Sequence, residues 1–252
     1  MSFHVSAGDY GLFMGRYAEP LAAQFAALLP LHRGQRALDV GCGPGALTAV
    51  LGEQLGPDSV SAVEPSASFV AATRARVPGV DVRQASAEAL PFEAGQFDLT
   101  VAQLVVHFMS DPDAGIGEMF RVTRPGGVVA ACVWDHAGGL GPLSLFWRAV
   151  HDLDPAARDE SDLPGARDGH LVELLRRAGG VDVTQTTLTV RATFADFEQW
   201  WSPFTLGVGP AGAYVATLEP ENRDRLRTRC AALLPAGPIT VAATAWTAVA
   251  RI

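Results

Sequence analysis

The chain has 252 residues, 48% hydrophobic and 18% charged, enough material for a packed core and the length of one α/β domain, or of one domain with an elaborated cap. Its net charge of −8 argues against a protein that grips nucleic acid through phosphates. All 19 basic residues are arginine, and without lysine there is neither Schiff-base chemistry nor a lysine-bearing phosphate loop.

Cys42, Cys132 and Cys230 stand too far apart in sequence for paired metal ligands or a disulfide framework, so no metal is expected. No apolar run approaches the roughly 20 residues that span a bilayer. The N-terminal stretch MSFHVSAGDYGLFMGRY lacks the basic-then-apolar order of a secretory signal. A cytoplasmic protein without membrane insertion is the expectation, and oligomeric state stays open.

In chain order, a helical pattern over 20–29 follows the aromatic stretch YGLFMGRY. Apolar strand-like runs bounded by glycine, proline or acids then fall near 36–40, 59–63, 80–84, 97–102 and 127–133, with helices near 45–55, 67–77 and 113–122 between them. This alternation predicts a Rossmann-like α/β fold, a mostly parallel sheet with helices on both faces. Past residue 134 the rhythm changes. A Gly-, Pro- and Asp-rich stretch over 135–168 carries a helix near 143–153. A helix near 169–178 and a strand near 182–190 resume the sheet. A second insertion over 194–235 holds Trp200 and Trp201 and a helix near 220–233, before the closing strand ITVAATAWTAVARI. The whole is read as one domain: a lid segment over 1–35, a cofactor-binding core over 36–134, and two acceptor-side insertions forming a helical cap.

The stretch ALDVGCGPGALT places Gly41, Gly43 and Gly45 between a strand and a helix, where the absence of Cβ atoms lets a ligand approach the backbone. Read as G-x-G-x-x-A it also satisfies the dinucleotide fingerprint, and Glu64 follows at the spacing of about 20 residues expected of a ribose-binding acid. A glycine turn serving only strand–helix packing is the plainer alternative. Two details tilt the choice. Asp39 would repel a pyrophosphate and welcome an ammonium. Pro44 removes an amide donor that a pyrophosphate would use. An adenosine joined to a zwitterion or cation fits this loop, and S-adenosyl-L-methionine is such a molecule.

The motifs FMGRYAEPLA, ALDVGCGPG, AVEPS, ASAEALPF, QFDLTVAQLVVHFMSDP and EMFRVTRPGG, in that order, make the chain resemble the class I S-adenosylmethionine-dependent methyltransferases. The likeness is to the small-molecule branch that includes ubiquinone and menaquinone biosynthesis enzymes. It runs from about residue 10 to 133; the remainder matches in architecture only. It implies seven strands, the last antiparallel, with the ligand across the carboxyl ends of the first, second and fourth.

The same resemblance implies that Glu64 accepts from both ribose hydroxyls, with Pro65 and Ser66 on the adenine side. Ser86 and Ala87 would meet the adenine edge. Ser86 stands where the family usually has aspartate. Gln103 and Leu104 would border the methionine moiety, with Asp39 and the loop Gly41, Cys42, Gly43 and Gly45 around it. Arg16 would pair with the ligand carboxylate in a segment that also brings Tyr10 and Tyr17 over the cofactor. Arg124, in place of a common lysine, has no expected catalytic duty.

Methyl transfer from a sulfonium needs a general base only where the nucleophile must lose a proton. His107 and His136 are the candidates for that role, ahead of Asp135 and His151. Trp134, Phe146, Trp147, Trp200, Trp201 and Phe204 are possible walls for a small-molecule acceptor. A DNA adenine methyltransferase is disfavoured by the acidic balance and the missing Asn-Pro-Pro-aromatic tetrad. A non-catalytic binder of S-adenosylmethionine or S-adenosylhomocysteine and an NAD-dependent oxidoreductase are the competing readings. The latter is opposed by Asp39, Pro44 and the lack of a Tyr-x-x-x-Lys pair.

Overall fold

A computed structural model describes residues 7–252; residues 1–6 of the expected lid segment lie outside the described residues. From Ala7 the backbone is helical in one run: α1 (Ala7–Tyr10), a wider π-helical turn at Gly11–Gly15, and α2 (Arg16–Ala27). The expected start at residue 20 is late because the apolar stripe begins earlier. Tyr17, Ala18, Leu21, Ala22, Phe25 and Ala26 are buried at helical spacing, and that burial outweighs the hydrogen bond Pro20 cannot make.

Seven strands follow: β1 (Ala37–Val40), β2 (Val60–Glu64), β3 (Asp81–Gln84), β4 (Phe97–Gln103), β5 (Thr123–Trp134), β6 (Val181–Phe194) and β7 (Ile239–Arg251). They form one sheet in the order β3-β2-β1-β4-β5-β7-β6. Neighbours among the first five are parallel. Strand β7 runs antiparallel to both β5 and β6. The Rossmann-like architecture expected from the sequence is the one observed. Strands β1 and β2 are buried at every position, as the two-sided burial of a central parallel strand requires, whereas β7 begins with the strict alternation of a one-sided strand.

Helices α3 (Ala46–Leu55), α4 (Ala67–Arg76), α5 (Pro112–Val122) and α7 (His170–Arg177) link and cover the strands. They divide the interior into two cores. Phe25, Leu47 and Leu51 belong to one, while Ile116, Met119, Leu171 and Leu174 belong to the other. Chain order reverses between β1 and β4, so a crevice is left at the carboxyl ends of these strands, where open α/β sheets bind ligands.

Two strands run longer than the sequence suggests. Strand β5 reaches back through RPGG to Thr123, which pairs with Phe97 across a register shift. Strand β6 continues to Phe194 because β7 offers it partners as far as Ile239. The cap consists of α6 (Ser144–Leu153), α8 (Phe197–Trp201) with a 3-10 turn at Ser202–Leu206, α9 (Gly209–Thr217) and α10 (Pro220–Leu233). Helix α9 goes unforeseen, since GPAGAYVAT reads as breaker-rich. Its proline stands in the first turn, where the missing N–H costs nothing, and Ala211, Gly212 and Val215 are buried. Phe146 and Phe204 stack at 4.5 Å and Trp200 lies 4.9 Å from Phe204, which makes this cap an aromatic core of its own.

Candidate active site

The loop after β1 is drawn over the end of β2 by two amides, Gly41 N and Cys42 N, which donate to Val63 O at 2.8 and 3.0 Å. Gly41 has φ +69°, and a Cβ there would stand 2.5 Å from the Val105 methyls. Only glycine fits that turn. Glu64 completes the loop: its Oε2 accepts from Gly43 N at 3.1 Å and its Oε1 from Ser66 N at 2.8 Å. Burial raises the Glu64 carboxyl above its ordinary range, and these two amides oppose the rise. Asp39 is 1% exposed and accepts from Thr48 Oγ1 at 2.7 Å. Burial pushes it up to about 7, against the Thr48 hydrogen bond and with the help of nearby Glu64.

These groups line a cavity of about 210 Å³ together with Tyr10, Gly41, Cys42, Gly43, Pro65, Ser86, Ala87, Gln103 and Leu104. Gln103 donates from Nε2 to Ala18 O at 3.1 Å, which leaves its buried Oε1 without a partner. Leu104 next to it is held at φ +61°, a strained conformation for a side chain of that size. The donor and acceptor set fits an adenosyl sulfonium amino acid. Glu64 keeps lone pairs for a sugar diol beyond the two amides it holds, and the orphaned Gln103 oxygen and the Asp39 carboxyl suit an ammonium.

Three expected residues stand elsewhere. Arg16 does not line the cavity: its Nη1 donates to Thr193 O at 3.2 Å and its guanidinium lies 5.1 Å from the Phe194 ring centroid. A cation–π contact with that ring holds the side chain against β6. Gly45 acts one layer back, as the left-handed residue that opens α3, and Ser66 serves Glu64 through its backbone. Among the lining residues that go unforeseen are Phe69, Phe108 and Glu88, whose Oε1 accepts from Ser110 N at 2.8 Å. An acid two positions beyond the Ser86 departure was the available signal for Glu88.

Tyr10, Leu104 and Phe108 also belong to the wall of a second chamber of about 40 Å³, lined further by Phe13, Met14, His107, Trp134, His136, Leu143 and Glu160. Both candidate histidines are therefore here, with ring centroids 5.9 Å apart. Burial, with His136 nearby, holds His107 well below 6.5, and its Nδ1 has no hydrogen-bond partner. Burial pushes His136 down to about 4. His136 and Glu160 separate this chamber from an outer hollow of about 520 Å³ lined by Trp147, Arg148, His151 and Asp159.

Of the six aromatic wall candidates, Trp134 lines the inner chamber and Trp147 the outer hollow; Phe146, Trp200, Trp201 and Phe204 line neither. Asp135 builds a turn, accepting from Gly138 N at 2.8 Å. His151 lies at the outer hollow, its Nε2 3.1 Å from Ala157 O.

A reversed parallel sheet with a final antiparallel strand, a glycine loop after β1 and an acid at the end of β2 define the class I S-adenosylmethionine-dependent methyltransferase fold. Residues 38–131 match the methyltransferase domain family. It is similar to a malonyl-[acyl-carrier protein] O-methyltransferase of Enterobacter lignolyticus, with 34% identity over 52% of this chain and 51% of the relative. It thus spans about half the length of that curated relative. A trans-aconitate 2-methyltransferase of Rhizobium leguminosarum is 29% identical over 72% of each chain. Among solved structures, a phosphoethanolamine N-methyltransferase of Haemonchus contortus holding S-adenosylhomocysteine superposes with a TM-score of 0.60, at 16% identity, over 97% of this chain and 56% of that one. At that identity the likeness is one of fold.

Proposed function

We propose that this chain transfers the methyl group of S-adenosylmethionine to a small-molecule acceptor. The observation that carries the reading is the pair of chambers with a common wall. One is polar, at the carboxyl ends of β1, β2 and β4; the other is largely apolar and lies at the end of β5.

The cofactor, when bound, supplies a methyl group already activated on a sulfonium. The tasks left to the chain are orientation and exclusion of water, and orientation alone is worth roughly 7–11 kcal/mol of barrier. The Glu64 carboxylate, fixed by two amides, holds the sugar; Asp39 and Gln103 hold the amino end; Tyr10, Leu104 and Phe108 set the border at which the two reactants meet. On this reading 36–134 forms the cofactor core, while 135–168 and 194–235 shape the acceptor side. The net charge of −8 supports an acceptor other than nucleic acid. Among the described residues no helix is long and apolar enough to cross a membrane. The free, buried thiols of Cys42, Cys132 and Cys230 support action in the reducing cytoplasm.

Calorimetric titration with S-adenosylmethionine, S-adenosylhomocysteine and NAD tests the reading. Micromolar binding of both adenosyl ligands, lost in Glu64→Ala, is expected. Binding of NAD alone would make the glycine loop a dinucleotide site. Binding of adenosyl ligands without turnover across an acceptor screen would leave a non-catalytic binder.

A further inference from the structure

Two buried polar atoms in the wall of the inner chamber lack a partner at hydrogen-bonding geometry, Glu160 Oε2 and His107 Nδ1; the Trp147 indole N–H lies near Glu160 but outside that geometry. An orphaned buried polar atom costs roughly 1–3 kcal/mol; the Glu160 oxygen calls for a ligand that supplies a donor, and His107 Nδ1 takes a donor or an acceptor according to its tautomer. Glu160 is 3% exposed and belongs also to the wall of the outer hollow. Any molecule reaching the inner chamber from that side passes it. Among the described residues no arginine lines the inner chamber, and the one arginine on the route, Arg148, lines the outer hollow only.

We propose that Glu160 is the acceptor-binding base of this site, and that the acceptor carries a protic nucleophile, O–H or N–H, and no carboxylate. This rests on the methyltransferase reading above. The reacting end of the acceptor occupies the chamber of about 40 Å³, and the bulk of the molecule lies in the hollow of about 520 Å³. In the reaction the nucleophile's lone pair forms the bond to the methyl carbon as the carbon–sulfur bond breaks. That bond's electron pair stays on sulfur, and the nucleophile's proton goes to the Glu160 carboxylate.

Glu160 suits the task better than either histidine. Burial pushes its carboxyl up to about 7, opposed by the nearby Trp147 indole, whereas burial lowers both imidazoles. The relatives named above act on malonyl-[acyl-carrier protein] and trans-aconitate. A buried carboxylate facing a carboxylate acceptor is repulsive, so this chamber selects against acids of that kind.

The test uses ligand-observed NMR on the full chain saturated with S-adenosylhomocysteine at pH 8, with benzyl alcohol, benzylamine and benzoate as probes of similar size. Benzyl alcohol or benzylamine should bind at least tenfold more tightly than benzoate, and the better of the two separates an O–H from an N–H acceptor. In Glu160→Gln, nearly the same shape, that preference should fall to threefold or less. Unchanged melting and S-adenosylhomocysteine affinity in Glu160→Gln, and in Glu160→Leu as a second variant, establish that the chamber is intact. Benzoate binding as well as the alcohol, no binding by any probe, or a preference that survives in both variants would overturn the proposal. Failure of S-adenosylhomocysteine itself to bind would instead strike the methyltransferase reading.

Discussion

In the cavity at the ends of β1 and β2 the buried carboxylates already have partners within the chain: Asp39 holds Thr48, and Glu64 holds the amides of Gly43 and Ser66. In the chamber at the end of β5, His107 Nδ1 and Glu160 Oε2 have none. On the proposed reading the first region recognises its ligand by backbone shape and a carboxylate set in advance, both of which a short segment can encode. The second, on the same reading, is completed by the polar groups of one acceptor. Shared chemistry is built into the one, and individual specificity into the other.

The prepared region has an energetic cost that pH can expose. Asp39 titrates near 7 in the folded chain against an ordinary value of 3.8. Between about pH 4 and 7 the folded state therefore keeps a proton that the unfolded state has released, and stability falls as pH rises through that window. Three pH units correspond to on the order of 4 kcal/mol. Denaturant unfolding of the ligand-free protein at pH 5 and pH 8 should show this slope, and Asp39→Asn should flatten it. An unaltered slope in the variant would assign the effect to other groups.

Gly41→Ala should destabilise the fold by about 3 kcal/mol, combining a left-handed φ with a methyl pressed on Val105. Gly43→Ala, equally left-handed at φ +53° but with open space around the added carbon, should cost only about 1 kcal/mol. Equal costs would mean that Val105 yields. Glu64→Ala removes the charge-assisted partner of a sugar diol and should weaken S-adenosylhomocysteine at least tenfold, about 1.4 kcal/mol, by calorimetry. Arg16→Ala sharpens the contrast from the other side. It should cost under about 1 kcal/mol in stability and leave ligand affinity unchanged, because its contacts are to Thr193 and Phe194. A tenfold loss of affinity would return Arg16 to the site.

The difference between the regions also decides what could be read from residues alone. ALDVGCGPG announces strand, turn and helix within one short stretch, and Asp39, Gly41 and Glu64 line the cavity because strand ends put them there. Arg16 lies away from the cavity because its direction depends on a carbonyl 177 residues away. Glu160 carried no signal at all. In RDESD it reads as one acid in a solvated run, and only the packing of the segment after α6 beside Trp147 and the end of β5 makes it a buried group. Helix α9 was hidden by its own glycines, which propensity counts against a helix and tertiary burial overrides.

Tyr10 stands in the walls of both chambers, just ahead of the π-helical turn at Gly11–Gly15. On the proposed reading a ligand in either chamber contacts the same side chain, which offers a route by which the two binding equilibria can be coupled. Linkage is reciprocal: whatever factor the adenosyl ligand adds to acceptor affinity, the acceptor returns to the adenosyl ligand. Two independent titrations, each run with the other ligand present and absent, must yield one coupling constant.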